Sequence, residues 1–254
     1  MSEAVLTEAS DGVLTITINR PEAKNAVNGA VAKGIAAAID ELDNNSELVV
    51  GILKGAGGTF CSGMDLKAFL KGENPAVEGR GFGGLVEAPP KKPLIGALEG
   101  YVLAGGLELS LACDLSVCGE TTKFGIPEVK RGLVAAAGGV VKLPRLVPKR
   151  VAMEMALTGE MIDAARAYEL GLVNRVVADD QVVEEAKKLA ESIAANGPLA
   201  VAASKQCIVE SEDWTSTELI TRQIDIITPV FISEDAQEGP RAFAEKRAPN
   251  WKGK

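Results

Sequence analysis

The chain has 254 residues, 46% of them hydrophobic, enough apolar material for one large core or a core with an appendage. A formal net charge of −8 excludes a broad cationic face for nucleic acid or an anionic membrane, so an anionic ligand must be met by a few local cations. There is no histidine, which excludes Ser-His-Asp and Cys-His catalysis and histidine-ligated metals, and leaves proton transfer to Glu, Asp, Lys, Tyr, Cys or water.

The opening stretch MSEAVLTEAS lacks a basic region followed by an apolar one, so no secretion signal is predicted and a cytoplasmic location is expected. AVLTEAS and VLTITINR alternate in the strand manner around Asp11-Gly12 and predict a hairpin that Pro21 ends. Val31, Ile35, Ile39 and Leu42 share one face of a helix predicted over Val27–Leu42, and LVVGIL at Leu48–Leu53 reads as a buried strand. After the loop KGAGGTFCSG a helix is predicted at MDLKAFL, and the Gly-, Pro- and charge-rich segment up to Pro93 reads as a long, mobile loop. PLIGAL is another buried strand, followed by the glycine turn and helix of GYVLAGGLELSLACD; DLSVCG and TTKFGIP are short strands. From Pro148 on the pattern is almost wholly helical, with segments at Asp163–Gly171, Asp179–Ala195 and Pro198–Glu210, then Asp213–Arg247 with a break near Pro229. The organisation is α/β, with a core over residues 1–195 and a helical region over 196–254. Cys61, Cys113, Cys118 and Cys207 form no CxxC pair and no zinc-ligand spacing, so reduced, mostly buried thiols and no metal are expected.

Neither glycine-rich turn carries GxGxxG or GK[ST], which argues against a dinucleotide or P-loop site. Both instead fit a turn of small residues opening a helix: Gly105-Gly106 before Glu108, and Ser62-Gly63 before a helix headed by Asp65. Two such turns can aim backbone N–H groups at one oxygen, as an oxyanion hole does. Glu108, three residues past Gly105, can reach that oxygen, and Glu128 in FGIPE supplies a second acid in apolar surroundings; two such acids can hold and activate a water. The spacing equally admits structural readings. The glycines can serve tight packing, Glu108 can complement a helix dipole, Glu128 can be a solvated residue, and Asp65 can be a cap.

The ordered set NRPEAKNA (19–26), GTFCSGMDLK (58–67), GYVLAGGLELSLACD (100–114), KFGIPEVKRGL (123–133) and LPRLV (143–147) resembles the crotonase, or enoyl-CoA hydratase/isomerase, superfamily over nearly the whole chain. The resemblance implies a crotonase-like spiral of β-β-α units with a C-terminal helical region that builds homotrimers or dimers of trimers. It also implies an acyl-CoA substrate whose thioester oxygen is held by the N–H groups of Ser62 and Gly105, with Glu108 and Glu128 moving the protons of water across a trans-2-enoyl-CoA. CoA is then part of the substrate and no separate cofactor is required. Lys24, Lys67 and, from a neighbouring subunit, Lys246 become candidates for the CoA phosphates. Met64, Leu66 and Phe69 become candidates for the acyl wall, or are ordinary core. Ala104 replaces the first glycine of a frequent triple, and Ala135 stands where many members carry proline. GFGGLVE and FAEKRAPNWKGK resemble carnitinyl-CoA dehydratases, so elimination on a charged acyl group, 3-enoyl isomerisation, and a non-catalytic CoA- or RNA-binding member stand as the alternatives; the acidic composition disfavours RNA.

Overall fold

The computed structural model describes residues 3–254. It opens with the hairpin β1 (Val5–Ser10) and β2 (Val13–Ile18), turned at Asp11-Gly12 as the alternation predicts. A single 3-10 turn at Pro21–Ala23 precedes α1 (Gly29–Asn44), whose first turn is capped by Asn28 accepting from Val31 N–H at 3.1 Å. There follow β3 (Val50–Gly55), the short α2 (Leu66–Phe69), β4 (Ala76–Val77), β5 (Gly81–Phe82), β6 (Leu94–Leu98), β7 (Tyr101–Leu103) and α3 (Gly105–Ser110). The chain continues through β8 (Leu115–Gly119), β9 (Lys123–Gly125), a 3-10 turn at Pro127–Arg131, α4 (Gly139–Leu146) and α5 (Lys149–Thr158). Then come β10 (Ile162–Asp163), α6 (Ala164–Glu169), β11 (Arg175–Val177), α7 (Val182–Ala194), α8 (Pro198–Glu210), α9 (Leu219–Phe231) and α10 (Glu234–Glu245).

The main sheet has six strands in the order β1-β2-β3-β6-β8-β11, with every pair after the hairpin parallel. Chain order and spatial order coincide, so the polypeptide advances by one strand per turn. After β2, β3, β6 and β8 it crosses to a second, smaller ladder: Val27 bridges Met64, Cys61 bridges Val102, β7 pairs β9, and β9 pairs β10. A helix or helical turn then returns it to the main sheet, giving the repeated strand–strand–helix spiral. Strand residues alternate between two cores. Leu14, Ile16, Leu53, Leu94 and Leu98 pack with α1 and α3, while Val50, Ile52, Ile95, Ala97 and Val117 pack under Val182, Ala186 and Ala190 of α7. Both faces of the parallel sheet are thus covered, which suits its near-continuous apolar strands.

Three expectations are corrected. The turn before Glu108 contains β7, whose three residues are too few to show periodicity and which is held by pairing with Cys61 and β9. The segment up to Pro93 carries the β4-β5 ribbon and buries Leu85 and Val86, so it is packed and not a free loop. α4 was hidden by its Gly-Gly start and by Pro144 inside it, and β10 and β11 lie within the region expected to be helical. The break expected near Pro229 falls just after it: α9 runs to Phe231, and α10 begins at Glu234. No helix among the described residues is long and apolar enough to cross a membrane.

The motif NRPEAKNA has a structural explanation. Asn25 is fully buried; its side-chain oxygen accepts from Arg20 N–H at 2.9 Å, and its amide donates to the carbonyls of Ala56 at 2.8 Å and Thr59 at 2.5 Å. It therefore ties the end of β2 to the loop leading into Cys61. Asn25→Ala is expected to leave these groups without partners and to lower the unfolding free energy by about 3 kcal/mol, read from chemical denaturation; a change below about 1 kcal/mol would refute the assignment.

Candidate active site

The two turns singled out in the sequence lie against each other because their strands pair. Cys61 N–H donates to Tyr101 O at 3.0 Å and Leu103 N–H to Cys61 O at 3.0 Å, fixing the register of one turn on the other. The approach is close enough to demand glycine: a Cβ at Gly106 would lie 2.1 Å from the Cys61 carbonyl oxygen, and one at Gly63 (φ +103°) would lie 2.6 Å from the Ala104 Cβ and 3.2 Å from Gly105 N. Ala104 itself holds φ 54° and ψ −129°, a conformation glycine would adopt more easily, so backbone strain is stored directly before Gly105.

The assignment of a free donor to Ser62 is corrected by the hydrogen bonding. Ser62 N–H donates to the Lys24 carbonyl at 3.1 Å. Val27 bonds on both sides of Met64, through Gly63 O at 2.8 Å and Asp65 N–H at 2.9 Å, so the Met64 N–H is turned away from that bridge, and among the described residues it donates to no acceptor. Met64 in one turn, and Gly105 at the start of α3 in the other, thus offer N–H groups on the cavity side. Asp65 is a cap: Oδ1 accepts from Lys67 and Ala68 N–H, both at 3.1 Å, and Oδ2 pairs with Arg20 at 2.9 Å. Burial pushes its carboxyl up, but the Arg20 hydrogen bond and charge and the two N–H groups together bring it below the usual range.

Both glutamates face one cavity of about 1150 Å³, lined by Lys24, Ser62, Met64, Asp65, Leu66, Lys67, Phe69, Phe82, Gly105, Glu108, Glu128 and Leu133 among others. Glu108, 4% exposed, is held from a distance in sequence: Oε1 accepts from Gly139 N–H, the first residue of α4, at 2.8 Å. Burial pushes its carboxyl up, opposed by the Gly139 and Ala137 N–H groups and by the Lys142 charge. Glu128 stands on the 3-10 turn that buried Pro127 starts and Gly132 ends in the left-handed conformation. Its Oε2 is buried with no hydrogen-bond partner. Burial, with the neighbouring Glu108 charge in support, raises its carboxyl to about 7 against weaker opposition from its own N–H and Arg131. The two acids are therefore unlike in kind: one is anchored by N–H groups, the other is left protonated close to neutrality.

A family model described as enoyl-CoA hydratase/isomerase matches residues 8–254. The chain belongs to the enoyl-CoA hydratase/isomerase family. It is 43% identical over 256 residues to an enoyl-CoA hydratase of Mycobacterium tuberculosis, covering 98% of this chain and 96% of that one. It is 40% identical over 262 residues to a carnitinyl-CoA dehydratase of Salmonella typhi, with all of both chains covered. Its fold matches the crystal structure of an enoyl-CoA hydratase from Mycobacterium marinum with a TM-score of 0.98 at 55% identity over the full length of both. The chain is thus a crotonase-family enzyme with the crotonase fold, and the spiral described above is that fold.

Within this member of the enoyl-CoA hydratase/isomerase family, Lys24 and Lys67 reach the cavity rim, and the Lys24 ammonium lies 4.9 Å from the centre of the Tyr101 ring. Lys246 lies elsewhere, in the left-handed cap that ends α10, and is not among the residues lining the cavity of its own chain. Leu66 and Phe69, 38% and 46% exposed, are cavity wall and not core. Sequence reasoning missed the Met64 N–H, because a backbone donor carries no side-chain signature, and missed Gly139 and Lys142. The run GGVVK at the start of α4 was the available signal for those two.

The raised carboxyl of Glu128 makes stability depend on pH. The unfolded chain releases this proton near 4.5 and the folded chain near 7, so between those values the folded state binds more protons and loses stability as pH rises. Glu128→Gln is expected to remove this contribution and to be more stable than the parent at pH 8 by about 1–3 kcal/mol, with no gain at pH 4. Denaturant midpoints measured across that range check it; parallel curves for the two proteins would contradict it.

Proposed function

We propose that the enzyme adds water across the double bond of a trans-2-enoyl-CoA to give a 3-hydroxyacyl-CoA, and catalyses the reverse elimination. The observation that carries this reading is the pairing of two unlike acids in one cavity beside two unused N–H groups. The thioester oxygen is held by the N–H groups of Met64 and Gly105. Glu108, seated on Gly139, takes a proton from water as the water oxygen bonds to C3. The π electrons move to the thioester oxygen, giving an enolate. Glu128, protonated near neutrality, then delivers a proton to C2 as the enolate collapses. Exchange of protons with solvent restores both acids. Each N–H of such a hole is worth roughly 2.7–4 kcal/mol in the transition state.

The CoA phosphates are met by Lys24 and Lys67, with Lys246 supplied by a neighbouring subunit, and CoA enters as part of the substrate with no separate cofactor or metal. The relative named carnitinyl-CoA dehydratase favours a second reading, elimination of water from a charged acyl group by the same acids working in reverse.

The same reading makes the protein a homotrimer or a dimer of trimers in the cytoplasm. The support is α9, which buries no residue within its own chain while exposing Ile220 at 66% and Phe231 at 74%. Light scattering is expected to give a mass three or six times that of the chain, and Ile220→Glu to lower it; a monomeric parent would overturn the assembly.

Crotonyl-CoA followed at its conjugated-enoyl absorbance tests the reaction. Loss of absorbance with gain of one water by mass, reduced about 10²-fold or more in Glu108→Gln and in Glu128→Gln, is expected. A folded parent that binds CoA yet leaves both crotonyl-CoA and the product hydroxyacyl-CoA unchanged would refute it.

A further inference from the structure

Lys142 stands in α4 one turn beyond Gly139, the residue whose N–H grips Glu108. Its methylenes lie back over the start of the helix, since a Cβ at Gly138 would be 3.3 Å from Lys142 Cδ. Its Nζ donates to the Val86 carbonyl at 2.8 Å. Val86 belongs to the segment carrying Phe82, whose ring lies 2.4–2.5 Å from where a Gly105 Cβ would stand. One ammonium thus ties the cover of Gly105 to the helix that seats Glu108. Its partner is a carbonyl, not a carboxylate, so its charge remains to act on the acids around it. Lys142 is half-buried; burial pushes its ammonium down, Glu108, Glu212 and Glu87 push it up, and Arg145 on the same helix opposes them. On the other side Glu108 is faced by Glu128, which Arg131 partly offsets.

We propose that Lys142 is a positioning residue for Glu108: fixed between Gly138 and Val86, its charge keeps the Glu108 carboxylate ionised and seated on the Gly139 N–H, ready to take a proton. This deepens the reading of Glu108 as base and rests on it. Lys142 lies outside the residues lining the cavity, so its proposed action runs through Glu108. The second role visible in the structure, holding Val86, is separable from the first, because loss of the tether is read in stability whereas the charge is read in the titration of Glu108.

The test uses the full chain with Lys142→Gln, Lys142→Met as a second neutral variant, and Lys142→Arg. Titration of the Glu108 side-chain carboxyl is followed by carbon NMR in glutamate-labelled protein, assigned by comparison with Glu108→Gln. The pH profile of kcat/KM on crotonyl-CoA is recorded in parallel. Both neutral variants are expected to move the Glu108 midpoint and the acid limb of the profile upward by about half to one pH unit, and Lys142→Arg to restore most of the shift. Neutral variants that leave the midpoint in place, whatever they do to melting temperature, overturn the proposal and reduce Lys142 to a tether for Val86. The midpoint is read without turnover, so a shift in a parent that does not hydrate crotonyl-CoA supports the role of Lys142 while removing the hydratase reading.

Discussion

The register between Cys61 and Val102 is the constraint on which the site depends. By bonding on both sides of Val102, the Cys61 main chain sets the turn at 62–64 beside the turn at 103–106, and the glycines at 63 and 106 let the two backbones meet. From that contact the rest follows in order. The Met64 N–H, turned away from Val27, and the Gly105 N–H open on the same cavity. Glu108 comes to that cavity one turn into α3, and the next pass of the spiral, through β8 and β9, brings Glu128 opposite. The register is also reinforced from outside: buried Asn25 fixes the incoming loop at Thr59, and Asp65, paired with Arg20, fixes the outgoing one.

The large elements were legible in the sequence for simple reasons. The hairpin alternates, α1 shows a clean apolar stripe, and β3 and β6 are short apolar runs between turn signals, so periodicity alone places them. The acids at 108 and 128 stood out because each follows a run of apolar and glycine residues, although the sequence also admitted structural uses for both. The elements that escaped are held by tertiary pairing and not by local preference. β7 and β10 have three and two residues, the β4-β5 ribbon sits in a glycine-rich stretch, and α4 begins with two glycines. The donor assignment failed at Ser62 for the same reason. Which N–H of a turn remains free depends on partners 38 and 37 residues away at Lys24 and Val27 in opposite senses of the bridge, and no local pattern encodes that.

A chain without histidine has to find a group that titrates near neutrality among its other side chains, and burial makes one of Glu128. Two carboxyls of the same type enter one cavity, and their surroundings drive them apart. Glu108 is compensated by the N–H groups at the start of α4 and by a lysine one turn further on, so the charged form retains partners despite 4% exposure. Glu128 has a buried oxygen with nothing to accept from and a like charge beside it, so the proton stays until about pH 7. The asymmetry is self-reinforcing: the more firmly Glu108 is held as an anion, the more strongly Glu128 retains its proton. In the proposed reaction an acid and a base thus arise from one residue type, and the element that separates them is α4, whose glycine start admits Glu108 and whose lysine is proposed to hold the charge. That explains why the Gly138-Gly139 pair matters as much as the glutamates: a Cβ at Gly139 would stand 3.1 Å from Glu108 Oε1 and 2.8 Å from the Ala135 Cβ, displacing the anchored acid and erasing the difference between the two.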